Sequence, residues 1–293
     1  MKKKSLISQT AYNIILIILS LIVIFPLVLV VSASFSTEKD LVEYGYALFP
    51  KNVDLSAYKY VFKNPESILN AYKVTFIFSV AAMVLSVLFM SMIAYPLSKS
   101  RLKGKRFISF YLYFTMLFSG GLVPSYILIT QYLNLGNTIW VYILPGMISP
   151  WYVFMMRTFF QGIPESLAEA AYIDGASELR VYFTIIIPLS KPVLSTVALF
   201  MFLAKWNDWY TAMLYITDES LISLQYLLQR IMENIRMLQE MQPSVSGLVN
   251  TADIPSETAR MAMAVVVAGP ALLVFPFFQK YFVKGLTVGG VKG

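Results

Sequence analysis

A chain of 293 residues that is 58% hydrophobic and only 13% charged, with a mean hydropathy of +0.67, is too apolar for a soluble domain of its size. It has no cysteine and no histidine, which excludes a disulfide framework, a thiol nucleophile and histidine-based metal or proton-relay sites. The net charge of +7 reads as the lysine and arginine excess of cytoplasmic membrane loops rather than as a nucleic-acid footprint.

Uncharged stretches locate spans of ~20 residues each. Lys2, Lys3 and Lys4 precede an uncharged stretch, residues 5–37, which holds a first span from Tyr12 to Ser34. A secretory signal has a shorter apolar core and a small-residue cleavage site, so this span is expected to be retained. Residues 74–98 hold a second span. Residues 107–156 carry no charge and accommodate two more, with Asn134-Leu135-Gly136-Asn137 as the turn between them. A fifth is expected from Val193 to Leu214 and a sixth from Ala259 to Phe282. The expected fold is an all-α membrane protein, one domain over residues 1–293 with six transmembrane helices.

Basic residues orient it. Lys2 to Lys4, then Lys99, Arg101, Lys103, Lys105 and Arg106, then Arg157, Arg180 and Lys191, then Lys280, Lys284 and Lys292 fall on one side, against only Glu165, Glu169, Asp174 and Glu178. The positive-inside rule then makes both termini cytoplasmic and leaves 35–72 and 215–258 as outer loops.

Between the fourth and fifth spans lies a polar, helix-breaking segment within 161–191. Pro164 suits a first helical position, Gly175 the left-handed residue that ends a helix, and Asp174 or Ser177 the cap of a second helix, which Pro188 and Pro192 stop or kink. The spacing predicts a short helix, a sharp turn and a second helix on the membrane surface, a docking element. Ala168, Ala170 and Ala171 permit close approach of a partner, and Leu167 and Tyr172 can fill apolar pockets.

Glu169-Ala170-Ala171, Gly175, Ile185, Ile187 and Pro188 stand in the register of the EAA signature of ABC-importer permeases, with Ile187 where that pattern usually has Leu. With six spans and the tail Gly285 to Gly293, the chain resembles the smaller permease subunit of maltose-type importers, and also permeases for oligosaccharides cut from acidic polysaccharides such as alginate. The resemblance implies a type I importer permease of the bacterial inner membrane. Glu169, Ala170, Ala171, Asp174, Gly175 and Pro188 would couple it to the ATPase, with the Glu169 carboxylate paired to a basic group there. Gly289, Gly290, Val291 and Lys292 would touch the ATPase dimer. The implied partners are a second homologous permease in a heterodimer, two ATPase subunits that bind ATP and Mg, a periplasmic or lipid-anchored solute-binding protein, and an oligosaccharide. No cofactor is expected on this chain, which has no G-x-x-x-x-G-K-[ST] loop.

Lys205-Trp206-Asn207-Asp208-Trp209-Tyr210 interrupts the fifth span with charges and aromatics. Trp206, Asn207, Asp208 and Trp209 are a candidate transport path, since rings can lie on sugars and amides or carboxylates can bond hydroxyls. An alternative is a Lys205–Asp208 pair with an interfacial aromatic belt. Beyond it, Leu221, Leu224, Leu228, Ile231, Ile235 and Leu238 recur at helical spacing among Arg230, Glu233, Arg236 and Glu240, which predicts an amphipathic outer helix. An ion-coupled secondary transporter is the competing class, although Asp208 is its only convincing intramembrane carboxylate.

Overall fold

The computed structural model describes residues 6–240 and 256–289, and every regular element among them is helical. In chain order these are α1 (Leu6–Ser34), α2 (Glu38–Tyr44), α3 (Ser56–Val61), α4 (Pro65–Ser98), α5 (Lys105–Leu117), α6 (Leu122–Ile127), α7 (Trp140–Ile143) and α8 (Pro150–Gln161). There follow α9 (Glu165–Ile173), α10 (Glu178–Val181), α11 (Ile187–Leu189), α12 (Lys191–Trp206), α13 (Tyr210–Tyr215), α14 (Leu224–Glu240) and α15 (Glu257–Gly289). They group into two compact units, one of residues 1–68 and 228–270, the other of residues 69–227 and 271–293.

In the first unit, α1 is 29 residues of nearly unbroken apolar sequence whose side chains from Tyr12 to Phe25 are exposed, as suits lipid or a partner helix. The chain then turns back through a bridge between Ser36 and Val53, and the Ser34 and Tyr58 hydroxyls lie 2.8 Å apart. Glu38 makes the long-range connection. Its Oε1 accepts from Ser256 Oγ at 2.7 Å and Glu257 N at 3.0 Å, and its Oε2 accepts from Thr258 N at 3.0 Å and Thr258 Oγ1 at 2.8 Å. The carboxylate thus caps α15 across the chain, where free amides and the helix dipole favour a negative charge.

Partial burial works to raise the Glu38 pKa, but these four donors outweigh it and hold the carboxylate below its ordinary 4.5. Its contribution is therefore complete above about that ordinary value and is lost as pH falls through the lower folded one. Glu38→Ala is expected to cost ~1–2 kcal/mol, the size of a lost cap. Thermal melts of the purified protein at neutral pH and at pH ~3 check this, the difference between variant and wild type shrinking in acid.

The second unit begins within α4, which is 34 residues, or ~51 Å, so it outruns a ~30 Å hydrocarbon core. It begins at Pro65 rather than near residue 74 because its first turns, with Glu66, Asn70 and Lys73, are polar. The turn at 134–137 forms as expected, with Asn134 and Asn137 at φ +49° and +54°. Asn137 Oδ1 accepts from Thr217 N at 2.6 Å and Asp218 N at 3.1 Å, which ties this turn to the loop after α13.

Several expected spans are discontinuous. Three helices among the described residues are long and apolar enough to cross a bilayer, Thr10–Ser34, Pro65–Ser98 and Glu257–Val274. Two bent pairs qualify jointly: Lys105–Leu117 with Leu122–Tyr132, bent by 111°, and Glu178–Leu189 with Lys191–Trp206, bent by 80°. The first bend falls at Gly121, φ +88°, a conformation that side chains other than glycine resist. The expected fourth span is split into α7 and α8 around Pro145 and Gly146, φ +72°, and the 12 residues of α8 reach only ~18 Å. The fifth stops at Trp206 instead of Leu214 and resumes as α13.

The predicted amphipathic helix is α14. Leu224, Leu228 and Ile235 are buried while Glu233 and Arg236 are exposed and 3.8 Å apart, so part of its apolar face is consumed within the chain. The side chain of Leu238 lies outside the described residues.

Candidate functional site

The segment 161–191 builds the site from local chemistry. Pro164 is the cap of α9, one position ahead of the expected first helical residue, with its φ of −55° leading into the helix. At the other end Asp174 is the last cap residue and Gly175 adopts φ +78°. Ala176 N donates to Ala171 O at 2.9 Å and Gly175 N to Tyr172 O at 3.0 Å, the paired bonds of a Schellman motif. Of the two candidates for the second cap, Ser177 serves: its Oγ accepts from Arg180 N at 3.4 Å. Pro188 lies in α11 and Pro192 in the first turn of α12, on either side of the 80° bend.

Beneath this surface runs one hydrophobic core. Ala168 of α9, Val181 of α10, and Tyr182 and Ile186 of the turn that follows pack with Met90 and Ala94 of α4, Met156 of α8 and Val197 of α12. This segment is therefore seated on α4, α8 and α12. Ala168 is 4% exposed and Tyr172 is half-buried, so neither is offered to a partner as the sequence suggested: the 3.6-residue period turns both inward. The outward face consists of Glu165, Leu167, Glu169 and Ala170, extended by Ile173, 87% exposed, and Leu179, 63% exposed. Ile173 and Leu179 escaped the sequence reading, although an isoleucine beside a helix-ending Asp-Gly was the available signal. Ala171 is half-buried.

Glu165 and Glu169, one helical turn apart, line a cavity of about 490 Å³ whose other walls include Tyr95, Lys99 and Arg101 near the end of α4. This gives an exposed carboxylate pair flanked by aliphatic side chains, suited to a basic group in an apolar cleft. The tail residues Gly290, Val291 and Lys292 lie outside the described residues, and of Gly289 only its place at the end of α15 is described.

The structure separates the candidate path residues. Trp206 is buried, its ring 5.7 Å from Phe202 and 6.3 Å from Tyr72. Asn207 and Trp209 are exposed at the break between α12 and α13, where Asn207 Oδ1 accepts from Gln225 Nε2 at 2.8 Å. Asp208 caps α13, accepting from Thr211 N at 3.0 Å and Thr211 Oγ1 at 2.8 Å. Lys205 and Asp208 form no ion pair. Lys205 Nζ instead donates to the carbonyls of Tyr142, at 2.6 Å, and Pro145, at 3.1 Å, where the fourth span is broken. Removing this ammonium orphans buried carbonyls at ~1–3 kcal/mol each. Lys205→Met is thus expected to lower thermal stability clearly, and Asp208→Asn, which can keep the Thr211 N–H bond, to change it by less than ~1 kcal/mol. Melting curves of the two purified variants distinguish them.

Residues 67–288 match the family model of the binding-protein-dependent transport system inner membrane component, and the chain belongs to that family. It is 38% identical over 272 residues to protein LplC of Bacillus subtilis (strain 168), covering 93% of this chain and 90% of that one. It is also 38% identical over 281 residues to the polygalacturonan/rhamnogalacturonan transport system permease protein YtcP of the same organism, covering 95% and 96%. A chain in the crystal structure of a bacterial ABC transporter involved in the import of the acidic polysaccharide alginate superimposes with a TM-score of 0.77 at 28% identity, covering 96% of this chain and 99% of that one. The protein is therefore an inner-membrane permease of a carbohydrate ABC importer, a transport subunit and not an enzyme, and the ion-coupled alternative is not favoured. ATP is used by its ATPase partners.

Proposed function

We propose that the chain is a single permease domain, residues 1–293, that crosses the membrane six times with both termini cytoplasmic, pairs with a second homologous permease, and presents α9 to an ATPase subunit. The observation that carries this reading is the outward face of Glu165, Leu167, Glu169 and Ala170, set between a proline cap and a glycine-ended Schellman motif on the core of membrane helices. In it Glu169 pairs with a basic group of the ATPase, Ala170 and Ala171 allow close approach, Asp174 and Gly175 turn the chain, and Pro188 bends it back into the bilayer. The tail Gly289 to Lys292 reaches the ATPases, which carry ATP and Mg, and a solute-binding protein delivers the sugar to the outer loops 35–72 and 215–258.

The cargo we propose is an oligosaccharide derived from an acidic polysaccharide. Two relatives support this, YtcP and the alginate importer, since both are named for uronic-acid polymers, whereas other relatives are named for the neutral arabinooligosaccharides, galactooligosaccharides and maltodextrin. Trp206, Asn207, Asp208 and Trp209 are retained as the path segment, since α12 and α13 part there and irregular backbone at membrane depth is tolerated where it is buried in protein or lines a water-filled cavity. Copurifying the solute-binding protein and identifying its bound glycans by mass spectrometry tests the cargo. Uronic-acid oligosaccharides are expected, and neutral glucans alone would contradict it.

A further inference from the structure

One wall of the cavity beside α9 holds a polar cluster that the docking face does not use. Lys99, just past the end of α4, donates from Nζ to the Tyr172 hydroxyl at 3.0 Å and lies 4.0 Å from Glu178 Oε2. Tyr95, four residues earlier on α4, donates to the same Oε2 at 2.9 Å, and its hydroxyl is 3.5 Å from that of Tyr172. The ammonium also sits over both rings, 4.9 Å from the centroid of Tyr95 and 5.3 Å from that of Tyr172. Tyr172 belongs to α9 and Glu178 to α10, on opposite sides of the Gly175 turn. The end of one membrane helix thus holds both limbs of the loop. Deeper in the same interface the Tyr182 and Ser91 hydroxyls meet at 2.6 Å, and the Tyr95 and Tyr182 rings lie 5.3 Å apart.

Apolar packing alone is non-directional and lets one helix slide against another, whereas bonds with fixed lengths and angles set a register. Lys99 is 24% exposed but Glu178 is 66% exposed and 4.0 Å away, so their ion pair alone contributes little, and the register rests on the hydroxyl bonds of Tyr95 and Tyr172 and on the two aromatic faces under the ammonium. We propose that Tyr95, Lys99, Tyr172 and Glu178 form a rigid joint that passes displacement of α9 directly to α4, which makes them positioning residues for the coupling of ATP hydrolysis to transport. This rests on the reading of α9 as the ATPase-docking helix.

The chain has no cysteine of its own, so the joint can be broken and remade covalently. The complete importer with Lys99→Cys and Glu178→Cys is assayed in proteoliposomes for sugar transported per ATP, before and after bridging the two thiols with a short bifunctional maleimide. The ATPase subunits should stay bound, transport per ATP should fall roughly tenfold, and bridging should restore it to within about twofold. Simple structural damage would not be rescued by the bridge. Tyr95→Phe with Tyr172→Phe, which removes two hydroxyls without changing shape, should lower the ratio several-fold as an independent check. Wild-type coupling in both variants, failure of the bridge to restore it, or loss of the ATPase subunits from either variant overturns the proposal. Glu169→Lys run in parallel reports on docking separately: normal transport there removes the docking reading itself.

Discussion

Glu169→Lys is expected to reach the membrane in normal amounts and to lose its ATPase subunits on purification. Glu169 is exposed on the outward face of α9, with Glu165 one turn away, and no ion pair within the described residues engages it. Its removal therefore leaves the core that seats α9 intact, because that contact is made by Ala168. Reversing the charge sets an ammonium against the basic group expected in the ATPase cleft. Loss of one partner in a desolvated charge pair costs ~2–5 kcal/mol, roughly 30-fold to several thousand-fold in affinity. Affinity copurification of the complex checks this. Glu169→Gln, which keeps a hydrogen-bond acceptor and adds no like charge, should lose less, and wild-type uptake in the lysine variant would contradict the docking role.

The second large effect is expected at Gly175. With φ at +78° it occupies the left-handed region, yet a Cβ placed there meets no heavy atom within 4 Å. The first side-chain atom is therefore not crowded within this chain, and the penalty expected there is that of the backbone. Gly175→Val should cost ~1–3 kcal/mol of local stability and misdirect α9 relative to α10, with uptake falling steeply while the protein stays in the membrane. Gly175→Asn, larger than alanine but tolerant of this conformation, should keep most of the activity. Equal loss in both variants would show that bulk, not φ, is the limiting property.

The local shape of this loop was legible in the sequence because the information that makes it is local. A proline before a helix, a glycine after it and a serine before the next one each act within four residues: Gly175 takes the expected left-handed conformation, Ser177 is the one of two candidate caps that serves, and Pro164 falls one position ahead of the expected first helical residue. Direction was less legible. Ala168 and Tyr172 read as docking residues, but which side of a nine-residue helix meets α4 depends on tertiary packing that spacing alone leaves open.

Span continuity escaped for a related reason. Hydropathy registers that residues 107–156 are apolar and not whether the backbone through them is straight, so the breaks at Gly121 and Gly146 were invisible until their positive φ values were seen. The Glu38 cap could not be read at all, since its partners begin 218 residues away. Lys205 drew attention as an intramembrane charge, but its obvious partner was Asp208. The carbonyls freed by the broken fourth span, which it in fact serves, exist only because that span is broken.

In the assembled importer α9 is expected to lie against an ATPase on the cytoplasmic side. Ala170→Cys gives this chain a single thiol on the outward face of the helix, and a short cross-linker added to inside-out membrane vesicles can then be followed by mass spectrometry. An adduct between residue 170 and an ATP-binding subunit is expected, and it should be lost when Glu169→Lys is placed in the same chain. A thiol that yields no such adduct, and that is labelled by a membrane-impermeant maleimide only from the outside of sealed cells, would contradict it.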